Sequence, residues 1–272
     1  MGSRDTSITV ITAVLNARHS IEKSVASVLN QQYEDLQYVV IDGGSADGTL
    51  DILRNYAHQI NQLESGPDRG IGNAFNKGIG LARSELLGLL NAGDWYESHT
   101  LRIVAKAHQA HPEADVLCGG LRFWEGGEPT IVAYSDPSRL EKETSVYHPA
   151  VFITKSAYEK YGLYDESFQF AMDYELLLRF KRHRAQFVAL DAVLANMSLD
   201  GVSYRHWYRG LNEVRRVRSA YFSRSNVVYR HSLAVLKNVG ARLLKAIGLG
   251  GLYRKHWALK SRALASRDRR QK

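Results

Sequence analysis

Three carboxylates stand where the chain could do chemistry. In LLGLLNAGDWYE (Leu86–Glu97), five residues that read as a buried strand run into Asn91-Ala92-Gly93-Asp94, leaving one carboxylate at the end of an apolar rod. In LQYVVIDGGSADGT the strand-like run ends in Asp42, and a glycine turn follows. In FAMDYELLLRF, Asp173 opens a segment whose Leu176, Leu177 and Phe180 have helical spacing. A carboxylate in such a place can hold a hard cation, accept a hydrogen bond from a ligand or take a proton from a reacting hydroxyl. It can also simply cap a helix, and Asp173-Tyr174-Glu175 reads as a helix start as well. The stronger sign is that three separate strands end in polar groups: Thr12 to Asn16, Asp42 to Ser45, and Asn91 to Asp94.

The elements that must position these groups follow from periodicity. ITVITAVLN is a β-branched run, and Ser20 to Gln32 carries Ile21, Val25, Val28 and Leu29 at the spacing of a helix with one buried face. LQYVVID is a second strand and LDILRNYA a second helix, so the βαβα order predicts a parallel sheet with crossover helices. LLGLL is a further strand, Thr100 to His111 a helix stopped by Pro112, and ADVLCGGLRFW another strand. In such sheets a ligand sits at the carboxyl ends of the strands, where the three polar loops gather. No G-x-G-x-x-G follows the first strand, which argues against a dinucleotide and leaves Asp42 as a ligand contact. Gly43, Gly44 and Gly48 permit close backbone approach, and Ser45 and Asp47 are placed to cap the next helix.

Composition bounds the function. With 272 residues and 44% hydrophobic content the chain can bury a core as one large domain or as one domain with an appendage. Its one cysteine, Cys118, excludes an internal disulfide and fits a reducing compartment. The first residues hold no apolar run of signal-peptide length, and no window approaches the roughly 20 apolar residues of a membrane span, so a cytoplasmic location is expected. The net charge of +8 hides an asymmetry: residues 1–200 hold 18 Lys/Arg against 26 Asp/Glu, residues 201–272 hold 18 against 2.

TAVLNA, SVLNQQYEDLQYVVIDGGSADGT, ESGPDRGIGNAFNKGIGLARSELLGLLNAGDWY and FAMDYELLLR, in that order and spacing, resemble bacterial members of glycosyltransferase family 2 over roughly residues 7–200. The resemblance implies an α/β fold of GT-A (Rossmann-like) type, a mixed sheet flanked by helices. It places the catalytic domain at 1–200, with nucleotide-sugar binding at about 7–97 and the acceptor and base half at about 98–200. The implied reaction is inverting transfer of one sugar from a UDP- or GDP-linked donor to a hydroxyl of a glycan or lipid-linked oligosaccharide, in assembly of a bacterial surface polysaccharide. Thr12 and Asn16 would lie by the nucleoside and Asp42 would accept from its base. Asp68, Arg69, Asn76 and Lys77 would line the ribose and diphosphate, and Asp173 would be the general base. His148 in VYHPAVF would lie near sugar or acceptor, and SLDGVS, Ser198 to Ser203, would close over the donor.

The family's aspartate motif commonly reads Asp-x-Asp-Asp and holds a divalent metal. Here only Asp94 remains, with Asn91 and Gly93 at the other positions. Mg²⁺ or Mn²⁺ is therefore expected on Asp94, with Asn91 as a neutral helper. The thinned motif leaves open a catalytically idle sugar-nucleotide binding module.

Residues 201–272 form a basic helical extension in this reading. On a helical wheel of 230–247, Leu233, Val235, Leu236, Val239, Leu243, Leu244 and Ile247 fall on one side and Arg230, Lys237, Arg242 and Lys245 on the other. Trp257 and a run of Arg and Lys follow. The pattern suits a helix in a membrane interface, so an anionic membrane is the expected partner of 230–272 and the protein is expected to be peripheral on the inner face. A helix packed on the catalytic domain is the alternative. A basic stripe also attracts nucleic acid, but no recognition motif accompanies it and that partner is not expected.

Overall fold

Strand β1 (Ile8–Val14) is buried along its whole length because both its faces are apolar. Ile8, Val10 and Val14 enter one hydrophobic cluster while Ile11 and Ala13 enter another on the opposite side. This is the period-two pattern of a strand covered on both faces. The computed structural model describes residues 6–199 and 206–247. Within it β1 pairs in parallel with β2 (Leu36–Asp42) and β4 (Leu86–Asn91), and β2 pairs in parallel with β3 (Gln62–Ser65). Helices α1 (Ile21–Leu29), α2 (Thr49–Asn55) and α3 (Ile71–Leu81) make the crossovers. Helix α1 buries Ile21, Val25 and Val28 as their spacing predicts.

Beyond β4 the sheet becomes mixed, as the resemblance implies, whereas the βαβα order of the first elements pointed only to its parallel part. After β5 (Trp95–Tyr96) and α4 (Thr100–Ala110), β6 (Val116–Glu125) and β7 (Glu128–Tyr134) form an antiparallel hairpin. Strand β8 (Val151–Thr154) lies antiparallel between β4 and β6, and β9 (Phe187–Ser198) runs parallel to β6 and antiparallel to β5. The order is β3-β2-β1-β4-β8-β6-β9-β5, with β7 outside β6. Helices α5 (Lys155–Tyr161) and α6 (Met172–Arg182) cover the face that also carries α3.

The parallel register decides where the polar loops meet. Val14 stands opposite Asp42, Ala13 opposite Asn91, and Asp42 opposite Ser65, so four strands end at one level. Helix α3 lies close on β1 because residue 78 is glycine; a Cβ there would overlap the Ile11 side chain.

Among the described residues two helices follow the sheet: α7 (Trp207–Ser219) and α8 (Arg224–Ala246). The helix expected over 230–247 is thus six residues longer at its start. Val217 of α7 is buried in the same cluster as α6. Glu213 of α7 reaches the segment before α6 and accepts backbone hydrogen bonds from Gln169, Phe170 and Ala171 at 3.1, 2.7 and 2.9 Å. Asp173 is not the helix cap that its sequence position also allowed: the cap residue is Ala171, which brings no side-chain acceptor, and Glu213 serves from another element. No described helix is long and apolar enough to cross a membrane. Trp257 with its basic run, and most of SLDGVS, lie outside the described residues.

Glu213 thereby ties the basic extension to the start of α6. Glu213→Ala strands three backbone donors and should lower unfolding stability by about 1–3 kcal/mol, read as a lower urea midpoint at unchanged slope. Glu213→Gln, which keeps one carbonyl acceptor, should lose less. Equal stability of Glu213→Ala and wild type would remove the capping role.

Candidate active site

Asp42, at the end of β2, is almost fully buried, and its carboxylate accepts from the backbone N–H of Ser45 at 3.2 Å and the hydroxyl of Ser65 at 2.6 Å. The following glycine matters for space: a Cβ on Gly43 would stand 2.5 Å from Asp68 Oδ2, so only glycine lets the Asp68 carboxylate come down on this turn. Asp68 is itself fixed by the backbone N–H of Gly70 at 2.8 Å. Asn16, in left-handed backbone at φ 49°, clips the two loops together. Its N–H donates to Ser45 Oγ at 2.8 Å and its Oδ1 accepts from Ala46 N–H at 2.9 Å. Ser45 thus joins loops and does not cap α2, whereas Asp47 accepts from Thr49 N–H beside the helix start. Thr12 is fully buried with its hydroxyl on Tyr38 Oη at 3.0 Å, so its side chain braces the sheet beneath the site and is not part of the lining.

At the end of β4, Gly93 adopts φ 101° and its N–H is held by Ser24 Oγ of α1 at 2.8 Å. That turn aims Asp94 back inward, where it is 6% exposed. Burial pushes its carboxyl up to about 8, opposed by a 3.4 Å hydrogen bond from the Asn91 amide. The other end of that amide, Asn91 Oδ1, is buried without a hydrogen-bond partner among the described residues. A desolvated carboxylate beside an unsatisfied carbonyl oxygen is a donor set that fits a hard divalent cation, whose remaining ligands would be phosphate and water oxygens. Among the described residues no group of three or more His, Cys, Asp or Glu gathers for a metal, so a protein-only cage is absent there.

The base candidate lies across α3. Where Gly72 of α3 has no side chain, Met172, Glu166 and Tyr164 come within van der Waals reach, and this packing sets the start of α6 against the donor-side loops. Asp173 is half-buried on that first turn, with burial raising its carboxyl to about 6 while backbone hydrogen bonds from Tyr174 and its own N–H oppose the shift. It neighbours Tyr164, whose hydroxyl is 3.0 Å from His148 Nε2. His148 is buried against Phe75, and desolvation lowers it to about 4, so it is neutral at pH 7.

One residue that periodicity and motif did not single out organises this region. Glu166 accepts from Asn73 and Asn76, each at 3.1 Å, and from Arg69 at 2.6 Å, and these donors hold its carboxyl down at about 2. Asn76 also exchanges hydrogen bonds with the backbone of Tyr164 at 3.0 Å, so its side chain is engaged in holding the 164–166 segment to α3. Arg69 remains largely exposed, and Lys77 is exposed with only a 3.5 Å contact to the Pro67 carbonyl. Lys77 is therefore able to turn toward an anion at the strand ends, whereas Arg69 would first have to leave Glu166.

Comparison with known proteins bears on this arrangement. The family model described as glycosyl transferase family 2 matches residues 9–172. A PGL/p-HBAD biosynthesis glycosyltransferase of Mycobacterium bovis (strain BCG / Pasteur 1173P2) is 28% identical over 62% of this chain and 68% of its own. An uncharacterized glycosyltransferase of Mycobacterium tuberculosis (strain CDC 1551 / Oshkosh) is 29% identical over 77% of this chain and 82% of its own. Among solved structures, the mannosyltransferase PcManGT from Pyrobaculum calidifontis, in complex with GDP-Man and Mn²⁺, superposes with a TM-score of 0.65 at 18% identity over 97% of this chain and 86% of that one. Residues 1–349 of S. aureus TarS with UDP-GlcNAc give 0.60 at 16% identity over 84% and 71%. The chain spans 39% of the longer TarS structure. The family match runs from β1 to the first residue of α6, the stretch that carries the strand-end carboxylates, and stops one residue short of Asp173; the chain belongs to glycosyltransferase family 2.

Proposed function

We propose that the chain transfers one sugar, with inversion, from a UDP- or GDP-linked donor to a hydroxyl of a glycan carried on a lipid, in assembly of a bacterial surface polysaccharide. The observation that carries the reading is the desolvated pair of oxygens at Asp94 and Asn91, set beside Asp42 by the parallel register. Structural neighbours holding GDP-Man with Mn²⁺ and UDP-GlcNAc support the donor class.

In this reading Asp42 accepts from the nucleobase, Asn16 flanks the nucleoside, and Asp68, Arg69 and Lys77 border the ribose and diphosphate, with Asn76 keeping that border in place. Asp94 would hold Mg²⁺ or Mn²⁺ with help from Asn91 Oδ1, and such an ion supplies positive charge to a nucleoside diphosphate leaving group. Inversion by single displacement requires a base on the acceptor side and no protein nucleophile. Asp173 takes the proton of the attacking hydroxyl. Its raised pKa makes it a better base than an ordinary Asp while leaving it mostly ionised at pH 7. Neutral His148 holds Tyr164 beside it.

Thermal-shift screening of UDP- and GDP-sugars with and without Mn²⁺ tests the donor and the metal together. One donor should stabilise the protein, more so with Mn²⁺, and Asp94→Ala should abolish the metal-dependent part. Because Asp94 must lose its proton to bind the ion, Mn²⁺ affinity should rise with pH up to about 8. No stabilisation by any donor in any metal would sink the reading. Donor binding that never leads to turnover would mark an idle module.

The base has its own signature. Asp173→Asn should cut kcat by about 10²–10⁴-fold with donor affinity nearly unchanged. Wild-type activity should fall as pH drops through about 6, since the group works only when ionised. A variant retaining more than about a tenth of wild-type rate would remove Asp173 from the role.

The extension supports a membrane location. Leu236, Val239 and Leu243 of α8 and Ile247 just past it are 69%, 40%, 61% and 67% exposed, so this apolar stripe is turned away from the catalytic domain, against the alternative of a helix packed on its apolar face. Half-buried Leu233, Val235 and Leu244 flank it. Basic residues border the stripe, which suits an anionic lipid surface. Leu236→Ser with Leu243→Ser should weaken co-sedimentation with phosphatidylglycerol vesicles more than about tenfold, since each Leu carries roughly 1.5–3 kcal/mol of apolar transfer. Unaltered vesicle binding would place the contact elsewhere, and retention on duplex DNA with a steep salt slope would redirect the tail to nucleic acid.

A further inference from the structure

Between the α7–α8 pair and the catalytic domain lies a cavity of about 280 Å³ that no part of the reaction above uses. Its wall carries six cations, Arg139, Lys142, Arg215, Arg218, Arg230 and Lys237, against two carboxylates. The two carboxylates offset only part of that charge, leaving a surplus of four cations. Glu143 is paired with Arg139, and Asp136 accepts from the backbone and hydroxyl of Ser138. The other five cations have no ion pair with a carboxylate among the described residues.

Arg218 is the sharpest case, because it is 3% exposed and still unneutralised. Its Nη1 donates to the Glu141 carbonyl and Tyr174 Oη at 2.7 and 2.9 Å, and Nη2 to Asn226 Oδ1 at 2.8 Å. All three acceptors are neutral. Its Nε, like the Nε of Arg230, is buried without a partner. Buried guanidinium N–H groups lacking an acceptor cost free energy and are matched by a bidentate oxyanion. Tyr134, Tyr147 and Tyr174, with Leu211, Val214 and Leu233, make the rest of the wall largely aromatic and apolar. The volume is near the lower end of small-molecule sites, roughly 300 Å³.

We propose that this cavity binds a phosphate or diphosphate group attached to an apolar chain. The guanidinium groups of Arg218 and Arg230 take the oxyanion, Lys142 and Lys237 neutralise its charge, and the tyrosine and leucine wall receives the chain that leaves it. Helix α8 carries cavity residues on one face and the exposed leucine stripe on another, so a ligand embedded in lipid reaches the cavity along that helix. Tyr174, shared by the cavity wall and adjacent to Asp173, places the site on the acceptor side. This last assignment rests on the transferase reading, whereas the phosphate site does not.

The test titrates inorganic pyrophosphate, in EDTA, into wild type, Arg230→Gln/Lys237→Gln and the donor-side Arg69→Gln/Lys77→Gln, by calorimetry. The cavity double variant should lose at least about tenfold in affinity, as expected on removing charge-assisted contacts, with thermal stability and UDP or GDP binding kept, while the donor-side variant keeps the pyrophosphate site. Loss confined to the donor-side variant, or no pyrophosphate binding by wild type, overturns the proposal even if the transferase reading stands. Vesicles then distinguish the sources. If the cavity variant loses pyrophosphate but still sediments with phosphatidylglycerol, the occupant is the phosphate of a particular lipid-linked molecule; if both are lost together, it is the headgroup of the bulk membrane lipid.

Discussion

A carboxylate buried at the end of β4 is the constraint around which the site is built. Left alone in a dry environment, Asp94 prefers its proton, which is why its pKa rises to about 8. Such a group stays buried either as the neutral acid or with a cation to share its charge, and several contacts keep it in place. Ser24 and Ser27, one turn apart on α1, accept from Gly93 N–H and Tyr96 N–H at 2.8 and 3.1 Å, so the helix following β1 grips both sides of the turn after β4. The backbone bend is available because residue 93 is glycine. A second carboxylate at that position, as the family motif commonly has, could not adopt φ 101° without strain.

The other half of the site is held by a different kind of interaction. Glu166 gathers three donors from the loop and first turns around α3, and Asn76 binds the adjoining backbone, so the donor-side helix and the segment leading to Asp173 are one hydrogen-bonded unit. On the far side Glu213 of α7 fixes residues 169–171. Asp173 is therefore positioned from both flanks by carboxylates, and the basic extension is coupled mechanically to the segment that carries it.

How much of this could be read in the chain depended on the range of the interaction. The first four elements and the placing of Asp42 and Asn91 at one end of the sheet were legible because a covered parallel strand is a continuous β-branched run and its register follows from the crossovers. Helix α3 was not legible by periodicity, since Gly72, Gly78 and Gly80 lower its propensity; of the three, Gly78 is required by its close packing on Ile11. The antiparallel insertion of β8 was hidden because four residues carry too little pattern to fix a direction. Glu166 and Glu213 left no local signal at all: each acts on groups more than forty residues away. Thr12 shows the converse error, in which a polar residue at a strand end proves to face the core and Tyr38.

The charge asymmetry between the two parts of the chain acquires a structural meaning from the same coordinates. Were the cations of α7 and α8 only solvated decoration, burial of Arg218 without a carboxylate would be hard to sustain, because a desolvated guanidinium is stable only with good acceptors. Here the acceptors are carbonyl, hydroxyl and amide oxygens, which orient the group without cancelling its charge. The outward apolar stripe on the same helix has a corresponding property, since burying it against a nonaqueous neighbour would be favourable. Helix α8 thus joins two unmet demands on different faces, anion on one and hydrocarbon on the other. A phosphate-bearing lipid would meet both with one molecule, whereas a soluble sugar would meet neither.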